Sequence, residues 1–420
     1  MFNKIIPHKP ITVQNLFKFD KTPFNLFMMV LTILLLIAFV AGVLNYLIHG
    51  HHAYGISREH PWGLLIAMYI FFVVSSTGLC IISSLGHVFK FKSFEFIGKR
   101  AIFGAIITII SGFAVIAFEI GHPVRMAIYN TISPGMTSAI WGMGVLYSIY
   151  LGLIIMEFIF LSRDDHKWST MFGLGGLLVG LAAHSNLGAV FGFLVGRPLA
   201  NGVFYPIYFI LSAMITGSYL IFLMYAFRYK MKFDEHISTF LVHIARLLGL
   251  LIAILMFFEF WRFMTSIYGN VPERAASAMH ALTSPEFLIG EFLFGMLIPF
   301  VIILISKGKA IKKLVYASLS GMVGIFFMRY DLVHDTLAYP MQTMKTREYQ
   351  LVPTWVHYSP SWTEWAIALG ALGIMLSMYY IGENFFYLDP KEHDDYFEHY
   401  MDTEGHEIEE HLITDTDATK

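Results

Sequence analysis

The sequence predicts an all-α integral membrane protein of about ten transmembrane helices, and three observations carry that prediction. Hydrophobic residues make up 56% of the 420 and charged residues 14%, where soluble domains carry about a quarter charged. Apolar runs long enough for a crossing, about 20 residues each, recur along the chain. Positive charge alternates between successive connections, as expected when Lys and Arg collect on the cytoplasmic side.

The predicted spans lie at 24–47, 62–89, 101–121, 136–161, 170–195, 204–227, 237–261, 286–306, 311–333 and 362–388. The first run is too long and starts too late for a cleaved signal peptide, so it stays as a span. One set of connections, with both termini, holds 19 Lys and Arg and the opposite set holds 8. Both termini are therefore expected in the cytoplasm. This divides the chain into a cytoplasmic segment at 1–23, a membrane domain at 24–388 and an acidic tail at 389–420. The tail carries twelve acids against Lys391 and Lys420 and reads as disordered and solvated. His393, His399, His406 and His411 are scattered through it, and nothing in their spacing fixes a metal geometry.

A weak internal repeat runs through the membrane domain. Thr77-Gly78, Phe118-Glu119 and Ser133-Pro134 recur in order as Thr216-Gly217, Phe258-Glu259 and Ser284-Pro285, and Arg125 or Arg262 follows each Phe-Glu pair. Two four-helix bundles with the first and last spans flanking them account for this order.

Cys80 is the single cysteine. Intrachain disulfides, a cysteine zinc site and an iron-sulfur cluster ligated by this chain alone are excluded, so a metal redox centre must sit on a partner. His184 and His243 lie well inside spans and His87 at a boundary. No span pairs two histidines two to four turns apart, so haem is not expected.

The candidate chemistry starts at Glu119, His122 and Arg125, where the third span ends. Charge at such depth is costly and marks a functional hypothesis. Trp141 enters on the same side, and His184 lies about 14 residues, or roughly 20 Å, into its span. An imidazole and a carboxylate there suit a quinone, whose carbonyls need donors and whose reduced form releases two protons with two electrons. The structural alternative is an ion pair of Glu119 with Arg125 at a helix end and a histidine bonding a neighbouring helix. Glu157, Arg246, Glu259, Glu291 and Asp331 are spread through the membrane thickness as a candidate proton path, or as structural ion pairs; Glu383 and the run Arg329-Tyr330-Asp331 add to this set.

Several motifs in order resemble those of the NrfD/PsrC family, the membrane subunits of polysulfide-reductase-type, DsrP-type and HybB-type respiratory complexes. They are Pro61-Trp62-Gly63-Leu64, Glu119-Ile120-Gly121-His122-Pro123-Val124-Arg125, Ser138 with Trp141-Gly142, Ala183-His184-Ser185, Tyr205-Pro206, Gly295-Met296-Leu297-Ile298-Pro299, Arg329-Tyr330-Asp331-Leu332-Val333 and Pro360-Ser361-Trp362-Thr363-Glu364. His122 stands where the family commonly has arginine, and Asp331 where it commonly has asparagine. The resemblance implies a haem-free subunit that exchanges electrons between menaquinone and an extracytoplasmic, four-cluster ferredoxin-like iron-sulfur protein. A molybdopterin or other catalytic subunit often lies beyond, where the terminal substrate reacts.

The expected function is therefore a menaquinone-interacting membrane subunit of a respiratory oxidoreductase in the bacterial cytoplasmic (inner) membrane. Glu119, His122 and His184 are its candidate hydrogen-bonding and proton-exchange groups. Arg125, Trp141 and His184 are the candidate cofactor contacts, and the connection at 334–360 is the expected docking surface. No resident metal and no nucleic-acid partner are expected. A secondary transporter is the rival reading, with the glycine-rich fifth span as a candidate broken helix, although small residues for close packing explain those glycines as well.

Overall fold

The computed structural model describes residue 9 and residues 22–233, 235–340 and 355–389. Ten of its helices are long and apolar enough to cross a membrane. In chain order they are α1 (Pro23–His49), α2 (Leu64–His87), α3 (Gly98–Glu119), α5 (Ala139–Ser162), α6 (His166–Gly192), α7 (Phe204–Tyr229), α8 (Glu235–Tyr268), α10 (Glu286–Ser306), α11 (Ile311–Ala338) and α12 (Trp362–Phe385). Two shorter helices, α4 (Pro123–Ile132) and α9 (Pro272–Thr283), do not cross. The tail with its histidines, most of the N-terminal segment and residues 341–354 of the expected docking connection lie outside the described residues.

Helix starts follow local chemistry. Ser138 caps α5 by accepting the Trp141 N–H, and Asp165 caps α6 by accepting that of Trp168. Ser361 and Glu364 form a capping box on α12, which satisfies two orphan donors reciprocally.

Two rings of four helices result. α2, α3, α5 and α6 close one, and α7, α8, α10 and α11 close the other. The rings meet where α2 crosses α7, and the crossing joins the two copies of the repeated Thr-Gly pair. A Cβ on Gly78 would overlap the Ala213 carbonyl, and one on Gly217 would overlap the backbone of Gly78. Only residues without a side chain let two backbones come this close. The repeat extends further than its dipeptides: α4 and α9 each follow a Phe-Glu span and end just before the Ser-Pro pair.

α10 is irregular for a sequence reason. Pro299 lacks an N–H and its ring crowds the carbonyl four residues back, and the stretch Glu286–Leu297 before it is π-helical. The carbonyl that Pro299 leaves unpaired, Gly295 O, accepts the Tyr219 hydroxyl at 2.9 Å instead. Gly295 also packs directly on Gly324 of α11.

The flanking helices α1 and α12 pair with each other. Gly370 and Gly373 of α12 take the backbone of α1 around Phe39 and Leu35, and Asn45 donates to Thr363 at 2.8 Å. At the end of the bundle where α1 begins and α12 ends, Arg100 of α3 binds Glu383, the Tyr379 hydroxyl and Asp389, the last at 2.6 Å. Arg228 of α7 also reaches Asp389, at 2.9 Å, and Lys9 donates to the Glu383 carbonyl at 2.8 Å. Flanked by two guanidiniums, the Asp389 carboxyl stays below the usual carboxylate range although burial opposes it.

At the other end, the segment entering α2 is tied to α12. Glu364 accepts the N–H groups of Gly55 and Ser361 and the Tyr358 hydroxyl, which itself accepts from Leu64 N at 2.6 Å. His60 stacks on Tyr358 with 4.6 Å between ring centres, and His334 of α11 lies 5.5 Å away. Burial first, then the neighbouring His334, pushes the His60 imidazole down to about 4.

Two outcomes are expected. Gly78→Leu places a side chain inside the backbone of α7, so the folded protein recovered by detergent size-exclusion chromatography collapses. Gly152→Leu, whose added atoms meet open space, is recovered at wild-type yield; equal recovery of both would refute the crossing. For His60, the folded imidazole titrates below the unfolded value of about 6.5. Acid therefore protonates the unfolded chain first, and stability drops as pH falls from about 6.5 towards 4, by up to about 3 kcal/mol. Thermal unfolding across that range checks this, since His60→Phe keeps the stack and should flatten the slope relative to wild type.

Candidate functional site

Glu119 ends α3 at the end of the bundle opposite the Arg100 cluster, and the chain turns at once through Gly121, whose φ is +31°. The turn separates the residues that sequence proximity groups together. Glu119 points inward, half-buried, and its Oε2 is buried without a hydrogen-bond partner. His122 and Arg125 are exposed on the start of α4, where Arg125 lies 5.3 Å over the Tyr129 ring. No ion pair joins Glu119 to Arg125 among the described contacts.

Aromatic side chains from α1 and the segment after it surround the Glu119 end of α3. Tyr46 and Tyr54 stack at 5.4 Å with 8° between their planes, and His51 lies 5.6 Å from Tyr54. Tyr46 and Phe39 both meet Phe118 edge-on, and the Tyr54 hydroxyl donates to the Phe118 carbonyl at 3.0 Å. Tyr54 lies just beyond the span, and burial together with the nearby Glu119 carboxylate raises its phenol, which stays protonated. Glu364 is close enough to repel charge on Glu119, but its own oxygens are occupied by Gly55, Ser361 and Tyr358. The Glu119 carboxyl therefore keeps a free acceptor oxygen within an aromatic surround.

His184 has other neighbours. It is fully buried, with Nδ1 3.1 Å from the Tyr147 hydroxyl and Nε2 3.0 Å from the Phe209 carbonyl. These partners come from α5 and α7, and those of Glu119 from α1 and α12, so the structure does not bring the two into one contact set. Trp141 donates its indole N–H to Asn130 at 2.9 Å and fastens α4 to α5.

The residues read as a proton path divide in the same manner. Glu157 is fully buried and lies 2.5 Å from His87. Arg246 is exposed, with no ion pair among the described residues. Glu259, Glu291 and Asp331 converge between α7, α8, α10 and α11. Arg262 bonds Glu259 one turn before it at 3.2 Å and the Tyr205 hydroxyl at 2.8 Å, and Tyr208 donates to Glu291 at 3.2 Å. Arg329 lies 5.8 Å over the Tyr208 ring and donates to Ser212 at 2.6 Å, and Ser212 shares the Phe209 carbonyl with His184. The glycine-rich fifth span, α6, runs unbroken. Gly173 and Gly176 face His87 and Glu157, Gly180 faces Tyr150, and Gly188 meets the backbone of Tyr205 and Pro206.

Sequence reasoning missed Tyr46, His51 and Tyr54, although the aromatic and histidine run from Tyr46 to Tyr54 was visible as a cluster at the end of the first span. Asp335 was missed as well. Its place one turn after Asp331 on a buried face was the available signal.

Comparison with known proteins fits this architecture. The chain is 26% identical over 395 aligned residues to a selenate reductase subunit of Mesobacillus selenatarsenatis, covering 83% of this chain and 92% of the relative. It is 24% identical over 384 residues to the Hdr-like menaquinol oxidoreductase integral membrane subunit of Archaeoglobus fulgidus, covering 89% and 95%. The family model for polysulphide reductase NrfD matches residues 52–339, from the turn before α2 to the end of α11. With ten apolar helices and a match across both rings, this chain is a multi-pass membrane protein of the NrfD polysulphide reductase family.

Proposed function

We propose that the chain is the haem-free, quinone-interacting membrane subunit of a respiratory oxidoreductase complex in the bacterial cytoplasmic membrane. The observation that carries the reading is the unpartnered Glu119 oxygen beside the stacked rings of Tyr46 and Tyr54. A flat aromatic diol finds there both a stacking surface and a proton acceptor. The relative named as a menaquinol oxidoreductase membrane subunit supports menaquinol as the substrate class, and the relative that belongs to a selenate reductase supports a separate catalytic subunit.

In this reading Glu119 accepts a quinol hydroxyl proton as the ring loses electrons, and the exposed His51 beside Tyr54 passes protons to solvent. The two electrons leave to an iron-sulfur partner of the four-cluster ferredoxin type. The excess of Lys and Arg at the opposite end of the bundle supports an orientation with Glu119 toward the extracytoplasmic face, where that partner would dock. Exposed His122 and Arg125 on α4 then belong to the docking face rather than to the quinone contact. His184 has its own contacts, the Tyr147 hydroxyl and the Phe209 carbonyl, and enters this reading through the packing of α5, α6 and α7 rather than by touching the quinone.

In the assembled complex, Glu119→Gln keeps the shape of the side chain and removes its basicity. Quinol-linked turnover is expected to fall about a hundredfold or more, with assembly unchanged by native gel. His184→Ala should also lower turnover, because it unties Tyr147 and the Phe209 carbonyl. Wild-type turnover in both variants would remove this site from contention.

A further inference from the structure

The second ring of helices encloses more negative than positive charge. Glu259 of α8, Glu291 of α10, and Asp331 and Asp335 of α11 are each less than a tenth exposed. Two guanidiniums face them, those of Arg262 and Arg329, and Arg329 is fully buried. Glu286, half-exposed at the head of α10, makes the local field more negative still. The remaining titratable neighbours, Tyr205 and Tyr208 of α7, are neutral phenols that act here as hydrogen-bond partners.

These groups are arranged around a void. Tyr205, Tyr208, Arg262, Glu291, Asp331 and Asp335 line an internal space of about 10 Å³, close to what one water molecule requires. Glu259 and Glu291 have partners in Arg262 and Tyr208. Asp331 has none: both of its carboxyl oxygens are buried and unpartnered at the void, and two nitrogens of Arg329 are likewise unsatisfied.

Four ionised carboxylates against two guanidiniums leave an excess of two negative charges in a low-dielectric interior. Each such charge costs several kcal/mol when left unpaired. Two bound protons cancel the excess. A bound metal ion fits less well, since no group of three or more His, Cys, Asp or Glu side chains among the described residues is disposed to hold one.

We propose that this void is a water-containing proton-exchange site, in which two of the four carboxyls, Asp331 among them, hold protons at neutral pH and trade them through the enclosed water. In each exchange the Asp331 O–H bond breaks as a new O–H bond forms on the water, and the Glu291 or Asp335 carboxylate takes the proton on; no electrons move. Arg329 lies 5.8 Å over the ring of Tyr208, a lining residue, and from Arg329 a chain of hydrogen bonds of 2.6 to 3.1 Å runs through Ser212 and the Phe209 carbonyl to His184 and Tyr147. Polar groups thus extend from beside the site into the first ring. This assignment concerns different residues from the quinone reading at Glu119 and does not depend on it.

Infrared spectroscopy of the full-length protein in lipid nanodiscs at pH 7 tests it. The wild type is expected to show carboxylic-acid C=O absorption that shifts in D2O. Asp331→Asn and the isosteric Glu291→Gln should each remove one carboxyl's worth of that absorption, because each lowers the number of protons needed from two to one. Arg329→Met should add one carboxyl's worth. Three results would overturn the proposal: absorption unchanged in both acid variants, absorption that does not shift in D2O, or absorption seen only after sodium is withdrawn. The last would show that a cation balances the charge. Should the variants fail to fold, the wild-type spectrum in D2O, with and without sodium, still decides between a mobile proton, a sealed one and a cation. Glu119→Gln turnover is read separately, so either idea can fail alone.

Discussion

The contact between Gly78 and Gly217 holds the two helix rings in register, and most of the buried chemistry follows from it. Beside that contact, α2 and α7 each tie a polar residue into their own ring. Ser76 meets Tyr150 of α5 at 3.1 Å, and Ser212 meets Arg329 of α11. A methyl group at either glycine would push the helices apart and separate His184 from the Phe209 carbonyl that it now reaches. In a membrane, where lipid offers no hydrophobic drive between helices, such close backbone approach is a principal source of association.

Fold and site were legible in the sequence to different degrees, for physical reasons. The ten spans could be read because length and apolarity are strict requirements for crossing a bilayer; α8 and α11 merely run one to two turns beyond their predicted ends. The repeat was visible as three dipeptides, and the structure shows why these survive together. One pair makes the crossing, one supplies the acid at which a helix ends (Glu119) or runs on (Glu259), and one follows a short helix on the bundle's end. The Glu119 cluster was legible as a position but not as a contact set. Sequence spacing said nothing of the turn at Gly121, which sends Glu119 inward and His122 and Arg125 outward. The pairing of α1 with α12 joins residues more than 300 positions apart, and no local signal announces it, so the aromatic surround of Glu119 stayed hidden.

The two copies of the Phe-Glu pair have diverged in a way that assigns them different work. Glu259 is closed by an arginine one turn later on the same helix, within bonding distance. Glu119 has its following arginine carried off on α4, beyond a turn that breaks the helix. The first acid is left with an unpartnered oxygen, and the second is built into a fixed network with Arg262 and Tyr205. One structural plan thus yields an open carboxyl and a sealed one, according to whether the helix continues for one more turn after the acid.

The flanking pair of helices bears on how the protein is made. α1 emerges from the ribosome ahead of the other described spans, yet the helix that covers it, α12, is the last of them to be synthesised. Until then α1 has only ring contacts with Phe118 of α3 and Phe227 of α7 and with the segment that follows it, and is otherwise left to lipid. Its composition suits that delay: among the ten crossing helices it is the most apolar and the least buried. Asn45, its polar contact with Thr363, lies near the headgroup end of the span, where water can serve it during the wait. The order of translation, and not only the finished packing, thus explains why the first helix is the one best able to stand alone.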